Sequence, residues 1–185
     1  MLHMERKDYN LEIIQELLMG ENHPRAIAKK LEINHMTIVR KLKCLLDDNI
    51  VDFKKVGKNK TYFLKKTIEA RSYLYESEHY KLVRILRKYP ELRKIIEKIH
   101  RNNKIKLTIL FGSYAKELAG KNSDIDIYIE TKDKNLKKAL EQLNSKLSIK
   151  IGDFNLESLL AKEIIKSHVI IKGVEEYYER VRFFE

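Results

Sequence analysis

The chain has 185 residues, of which 43% are hydrophobic and 35% charged, a balance typical of globular rather than disordered proteins. Its net charge of +11 favours a polyanionic partner because each neutralised phosphate releases counterions, although lysines that only keep helices solvated would give the same total. The single cysteine, Cys44, excludes an intrachain disulfide, and we expect it to be a small packing residue. No apolar run approaches the roughly 18–20 residues that span a bilayer, and the N terminus lacks the apolar stretch of a leader. We therefore expect a cytoplasmic protein without membrane contact.

Residues 1–66 are predicted to hold three helices followed by a hairpin. Apolar spacing and capping residues place the helices at 10–19, 24–31 and 34–47, with Asn10 and Asn34 as caps. Two short strands, 50–55 and 60–64, flank a turn that contains Gly57 and Asn59. This order, together with the segment EINHMTIVRKLK, resembles a winged helix-turn-helix domain, which implies a double-stranded DNA partner.

Positive charge is concentrated in the elements of that domain that would contact DNA. Residues 34–66 hold nine Lys or Arg and three acids. The candidate DNA-binding residues are Asn34, His35, Thr37, Arg40, Lys41, Lys43, Lys58 and Lys60. Three of them, His35, Thr37 and Arg40, would reach base edges, and the lysines would hold phosphates. Winged helices that mediate protein contacts are the alternative.

Residues 67–90 are predicted to form a helical linker between two domains. Its stretch 67–88 carries three tyrosines, Tyr73, Tyr75 and Tyr80. They suit either a homodimer contact, which would match palindromic DNA, or ordinary packing between domains. Pro90 interrupts the helical pattern, and the second domain is predicted at 91–185.

Residues 104–130 carry the chemistry. A β-prone run, 106–111, ends at Gly112-Ser113, and a strictly alternating run, 124–130, begins with Asp124 and Asp126. Carboxylates two residues apart on a strand point to the same side, where they can bind Mg²⁺. The Gly-Ser turn exposes backbone N–H groups and a hydroxyl to phosphates. The two features together are the minimum equipment for nucleotidyl transfer.

The composite motif, FGSYAK followed by SDID, resembles the signature of the minimal nucleotidyltransferases of the DNA polymerase β superfamily, over residues 91–185. The resemblance implies a mixed sheet flanked by helices, so the fold class of the whole chain is α+β. It implies transfer of a nucleoside monophosphate from a nucleoside triphosphate to a hydroxyl, with Mg²⁺ as cofactor. Asp124 and Asp126 would be the metal ligands. The nucleotide-binding residues would be Gly112, Ser113, Tyr114, Lys116 and Ser123.

Two departures from the family pattern bear on activity. Many relatives have glycine where this chain has Glu117. Active members carry a third carboxylate, acting as base and shared metal ligand, on the next strand, predicted near 146–154. The central alternating position there is Lys150, and Asp153 is the nearest acid. Asp153 is therefore the third candidate catalytic residue beside Asp124 and Asp126, although it suits a strand-end turn equally well.

Two functions follow from these patterns. The first is a DNA-binding protein with a Mg²⁺-dependent nucleotidyltransferase domain that acts on a protein or nucleic-acid hydroxyl. A protein acceptor is plausible because related stand-alone domains act as antitoxins that adenylylate a toxin. The second is a DNA-binding transcriptional regulator whose degenerate transferase domain senses a nucleotide. A structural scaffold would leave the Asp124 and Asp126 pair unexplained.

Overall fold

The computed structural model describes residues 7–185. The first six residues, on which the start of the predicted N-terminal domain and the expectation about a leader fall, lie outside the described part. The helices are α1 (Tyr9–Leu18), α2 (Pro24–Leu31), α3 (His35–Asp47), α4 (Ile68–Lys88), α5 (Leu92–His100), α6 (Gly112–Ala115), α7 (Lys134–Glu141), α8 (Leu159–Lys166) and α9 (Val174–Arg180). The strands are β1 (Val51–Val56), β2 (Asn59–Leu64), β3 (Thr108–Phe111), β4 (Ile125–Glu130), β5 (Leu147–Gly152) and β6 (Val169–Lys172). The chain forms two compact units, and the boundary between them lies within α4, between Ser77 and Glu78.

The N-terminal unit has the predicted order of three helices and a hairpin. Its core consists of apolar side chains from all of these elements, including Ile13, Ile14, Ile27, Ile38, Leu42, Leu45, Ile50 and Val51. In the hairpin, Val56 pairs with Asn59, so Gly57 and Lys58 form a two-residue turn in which Gly57 has φ +60°. This is the arrangement of a winged helix-turn-helix, as predicted.

Two details of this unit differ from the sequence prediction. The cap of α1 is Asp8, two residues before the predicted Asn10, and its carboxylate accepts from the backbone N–H of Asn10 at 2.9 Å. Our expectation for Cys44 is also wrong, since its side chain is exposed. It lies two residues beyond the buried Leu42, which turns it roughly 200° around the helix. The predicted cap Asn34 is confirmed and accepts from the Met36 N–H at 2.7 Å.

The C-terminal unit is built on a four-stranded mixed sheet in the order β5-β4-β3-β6. Strand β3 is antiparallel to both of its neighbours, whereas β4 and β5 are parallel and are joined through α7. One face of the sheet packs its isoleucines against α5 and the C-terminal half of α4. The mixed sheet with flanking helices is the predicted architecture, and alternation leaves Asp126 on the opposite face.

A buried charged cluster joins the ends of this unit. Glu78 is fully buried, lies 3.0 Å from the Lys81 ammonium and accepts from the Tyr178 hydroxyl at 2.8 Å. Burial acts to raise the pKa of Glu78, but Lys81 and His168 outweigh it and leave that pKa lowered. His168 donates from Nδ1 to the Ile164 carbonyl at 2.8 Å. Burial first, and then Lys81, lower the pKa of His168 to about 4, with Glu78 opposing.

This cluster predicts that acid destabilises the C-terminal unit. Between pH of about 6.5 and about 4, His168 is protonated in the unfolded chain but stays neutral in the folded protein. The free energy of unfolding therefore falls as the pH drops through that window. Replacing His168 by Asn should therefore reduce the loss of unfolding free energy between pH 7.5 and pH 4.5. Urea unfolding at the two pH values measures this loss. The exposed His100 of α5 gives the control, His100→Asn, and an equal loss in wild type and His168→Asn would contradict the prediction.

Candidate nucleotide site and nucleic-acid interface

The Gly-Ser turn and the first carboxylates of β4 meet where β3 ends. Phe111, the last residue of β3, pairs with Asp126 across the antiparallel ladder. The next residue, Gly112, has φ +70°, and a Cβ placed on it would lie 2.4 Å from Asp126 Oδ2. Only glycine fits between this turn and the carboxylate, so the close approach explains both the residue type and the backbone conformation. The structure thus brings the predicted phosphate turn and the predicted metal ligand into contact.

The groups around Asp126 shift the pKa of its carboxyl in opposite directions. Burial raises its pKa first, and the neighbouring Asp124 and Glu163 raise it further. A hydrogen bond from Ser148 and the charge of Lys150 act in the opposite direction. Ser148 is the residue directly beside Asp126 in the parallel ladder. The net effect is a raised pKa, and a cation bound at this carboxylate would favour its charged form.

The donor set fits one Mg²⁺ ion. Mg²⁺ keeps most of its water and binds through one or two carboxylates plus substrate phosphates, and Asp124 and Asp126 supply two carboxylates on one side of β4. Asp124 is exposed and Asp126 half-buried, so both are open to a ligand that approaches from solvent. Within residues 7–185, no group of three or more His, Cys, Asp or Glu side chains is placed to hold a metal. A bridging third carboxylate for a second ion is therefore missing from the described chain.

The other polar residues on this side of β4 have structural roles. Tyr128 is buried and donates to the Gly152 carbonyl at 2.7 Å. Glu130 accepts from Arg180 of α9 in a two-pronged ion pair with distances of 2.7 and 3.0 Å. These contacts fix the far end of β4 and leave Asp124 and Asp126 as its open carboxylates.

The predicted third acid, Asp153, stands apart from that pair. It follows β5, its side chain is 74% exposed, and it forms an ion pair with Lys132 at 3.0 Å. Its catalytic role remains a prediction. The acid that acts electrostatically on Asp126 is Glu163 of α8, which the sequence analysis missed because α8 lies far along the chain from the motif.

Glu117, which stands where many relatives have glycine, attaches the loop after α6 to α4. It adopts the left-handed conformation with φ 58°, the region that glycine favours. Its carboxylate pairs with Arg84 at 2.8 Å and with Lys88 at 3.2 Å, and its carbonyl accepts from Lys88 at 2.7 Å. These bonds offset the backbone strain of roughly 1–3 kcal/mol. The negative charge is thereby held by α4 instead of being free beside the nucleotide.

The remaining predicted nucleotide-binding residues differ in their exposure to solvent and in their hydrogen-bond partners. Ser113 is half-buried in α6 and Lys116 is exposed at its C-terminal end. The Ser123 hydroxyl accepts from the Gly120 N–H at 2.9 Å and shapes the loop before Asp124. Tyr114 is buried, and its hydroxyl donates to Glu91 at 3.3 Å. The ring of Tyr114 packs on the isoleucine face of the sheet, away from Asp126.

The contact between Gly112 and Asp126 predicts the effect of a single methyl group. In Gly112→Ala the new Cβ must displace the Asp126 carboxylate or the turn, so binding of a Mg²⁺–nucleotide should weaken by about tenfold or more, equivalent to at least about 1.4 kcal/mol. Titration calorimetry with a nonhydrolysable triphosphate measures the change. A Cβ on Gly120 meets nothing within 4 Å, so Gly120→Ala is the control and should bind as wild type does. Equal affinities for all three proteins would contradict the prediction.

A basic groove lies between α2, α3 and the hairpin of the N-terminal unit. Its volume is about 370 Å³. The lining residues are His23, Pro24, Arg25, His35, Val39, Lys58, Asn59, Lys60 and Tyr62. Arg25, Lys58 and Lys60 bring positive charge to a concave surface, and Lys60 is held with its ammonium 3.9 Å from the centre of the Phe53 ring. The sequence analysis identified His35 and the two lysines but missed Arg25, whose position directly after Pro24 at the start of a helix was the available signal.

The outer face of α3 presents Met36, Arg40 and Lys43 among its exposed side chains. Arg40 and Lys43 were predicted, whereas Met36, which is 60% exposed, was not. The Asn34 oxygen is engaged in capping the helix. Two further predicted residues, Thr37 and Lys41, are half-buried, which leaves Arg40 and Lys43 as the predicted contacts most open to a ligand.

Comparison with known proteins agrees with this reading of the C-terminal unit. The model of the family described as polymerase beta, nucleotidyltransferase, matches residues 93–176, which contain the Gly-Ser turn and both aspartates. No curated protein matches the chain.

Solved structures give weaker likenesses. The transcriptional repressor BigR from Xylella fastidiosa is 20% identical, with 37% of this chain and 67% of that one covered and a TM-score of 0.34. A homodimeric winged helix-turn-helix DNA-binding domain from Mycobacterium bovis is 20% identical, with 42% and 68% covered and a TM-score of 0.33. A toxin–antitoxin structure with AMP-PNP is 25% identical, with 57% and 78% covered and a TM-score of 0.35. At such low TM-scores, the winged-helix assignment depends on the elements of this chain alone.

Among the described residues, no helix combines the length and the apolar character needed to cross a bilayer.

Proposed function

We propose that the polymerase beta-type nucleotidyltransferase domain of this chain, residues 93–176, binds a nucleoside triphosphate with Mg²⁺ in a protein that also binds double-stranded DNA. The observation that carries the nucleotide part is the contact between Gly112 and the Asp126 carboxylate. It places backbone that can receive phosphates directly against a group that can receive the metal.

Each residue of the site has a distinct role in this proposal. Gly112 and Ser113 receive the phosphates, and the exposed Lys116 lies close enough in sequence to meet their outer oxygens. Asp124 and Asp126 orient the metal, which when bound neutralises phosphate charge and polarises the phosphorus centre. Ser148 holds the Asp126 carboxylate in place through its hydrogen bond. The chain thereby provides what is needed to bind and orient a triphosphate.

Regulation by nucleotide binding is the function that this site supports best. Transfer of the nucleoside monophosphate needs a base for the acceptor hydroxyl, and the nearest candidate on the strand side, Asp153, is exposed and paired with Lys132. Loss of a positioned base lowers the rate by roughly 10²–10⁴-fold. We therefore place the protein as a DNA-binding regulator whose transferase domain holds a nucleotide.

Transfer to a protein or nucleic-acid hydroxyl is the second candidate function. The observation that favours it is the intact pair of Asp124 and Asp126, both open on one side of β4 within the nucleotidyltransferase domain. In this alternative Asp153 would leave Lys132 and act as base.

Binding and transfer are separated by one set of variants. Wild type should bind a nonhydrolysable triphosphate with Mg²⁺. The double variant Asp124→Asn/Asp126→Asn should lose about tenfold or more in affinity, because the metal loses both charged ligands. Calorimetry measures the affinity, and incubation with labelled triphosphate and acceptors measures transfer.

Asp153→Asn is the informative control in that experiment. It should bind as wild type does, since its side chain points to Lys132 and solvent. Label transfer by wild type that is abolished in Asp153→Asn would replace the regulator with the enzyme. Absence of nucleotide binding in wild type would remove both functions.

DNA binding is supported by the basic groove and by the outer face of α3. Arg40, which is exposed on that face, would contact a base edge, and Lys58 at the hairpin turn would contact a phosphate. The groove between them, with Arg25 and His35, would follow the backbone of the duplex. A homodimer through α4, which would bring two such surfaces to a palindrome, stays a prediction.

Two variants should affect DNA binding differently. Arg40→Ala should cost about 1–3 kcal/mol on a duplex selected from a random pool and less on an unselected duplex. Lys58→Ala should weaken both equally and reduce the slope of log affinity against log salt by about 1. Fluorescence anisotropy at several salt concentrations gives both quantities. Lys94→Ala, on α5, serves as the control, and salt-independent or absent binding by wild type would contradict DNA recognition.

A further inference from the structure

Lys150 lies on the same side of the sheet as the two aspartates. It is exposed on β5, two residues beyond Ser148, which is the direct neighbour of Asp126 in the parallel ladder. Adjacent strands are roughly 4.8 Å apart and each residue advances roughly 3.3 Å, so the Cα atoms of Lys150 and Asp126 are about 8 Å apart. A lysine side chain spans this distance easily, and its charge acts on Asp126.

Lys150 brings a positive charge to the side of the sheet that carries the acidic residues. Three acids, Asp124, Asp126 and Glu163, act together at this end of the site, and Lys150 is the cation that acts on Asp126 in return. Catalytic two-metal sites bind their ions about 3.5–4 Å apart and need a carboxylate that serves both. Among the described residues no third carboxylate, Glu163 included, is placed to hold a metal together with the pair, and a lysine would repel a second ion at the same place.

We propose that the Lys150 ammonium takes the place of a second metal ion, so that the site binds a nucleoside triphosphate with one Mg²⁺ and a direct contact between Lys150 and phosphate. This inference rests on the proposed nucleotide binding and adds the composition of the bound complex. A lysine is a compact point charge with three donors, well suited to phosphate oxygens. Because it is covalently part of the strand, its charge is present at any metal concentration.

The arrangement also gives a physical reason for a binding rather than a catalytic site. A metal ion can lower the pKa of a bound hydroxyl and activate it as a nucleophile, and an ammonium group that donates only hydrogen bonds cannot coordinate that oxygen. Lys150 would therefore secure the triphosphate while leaving an acceptor hydroxyl unactivated. Both nucleotide binding and the loss of transfer would then follow from the presence of Lys150 where the family pattern has a carboxylate.

The test uses the full chain with an α,β-methylene triphosphate and Mn²⁺, which reports by electron paramagnetic resonance. Wild type should hold one Mn²⁺ per bound nucleotide. Lys150→Asp, which supplies the third carboxylate, should hold two. Lys150→Met, which keeps the apolar stem and removes the charge, should keep one Mn²⁺ but weaken nucleotide binding by about tenfold, the loss expected for a charge-assisted contact.

Lys138→Met, at an exposed position on α7, is the matched control and should behave as wild type. Circular dichroism checks that each variant is folded, and the exposed side chain of Lys150 makes the Met variant conservative. Two Mn²⁺ ions per nucleotide in wild type, or unchanged affinity in Lys150→Met, would overturn the inference while leaving nucleotide binding intact. Absence of nucleotide binding in wild type under all conditions would instead remove the proposed function on which it rests.

Discussion

The nucleotide site depends on one steric constraint, the approach of the Gly112 backbone to the Asp126 carboxylate. A side chain at position 112 would lie 2.4 Å from Oδ2, so the turn can follow β3 directly only because the residue is glycine. Antiparallel pairing of Phe111 with Asp126 sets the register that creates this contact. The predicted phosphate turn and the predicted metal ligand are consequently close neighbours in the fold.

Electrostatics then determines what that feature can do. Burial and nearby acids raise the pKa of Asp126, while Ser148 and Lys150 act against them. This balance supports the proposal that the site binds one divalent cation together with phosphate oxygens. Glu117, which would otherwise add charge near the phosphates, is bound by Arg84 and Lys88 of α4. Lys150 thus lies on β5 where the family pattern has a third acid, and the acidic residue of the loop, Glu117, is paired with α4.

Much of this arrangement was accessible from the sequence, because local patterns have local causes. Alternation in 124–130 predicted a strand with carboxylates on one side, and Asn34 predicted the start of α3. The cap of α1 was predicted two positions too late, since both Asp8 and Asn10 are good capping residues and only the helix start decides between them. Cys44 was misjudged because the apolar neighbours in sequence hid its position on the outer face of α3.

The sequence by itself determined the order of the elements, the mixed α+β class, the Gly-Ser turn and the paired aspartates, since these follow from spacing and residue type within short segments. Tertiary structure alone decided which residues surround the pair. The register between β4 and β5 places Ser148 beside Asp126 and Lys150 two residues further along β5. The packing of α8 places Glu163 close enough to act electrostatically on Asp126. The fold of the loop brings Glu117 to its ion-pair partner Arg84 on α4. The packing of α2 and α3 against the hairpin makes Arg25 part of the lining of the basic groove. Such neighbours are distant in the chain, and only the pairing of strands and the packing of helices determine which of them come together.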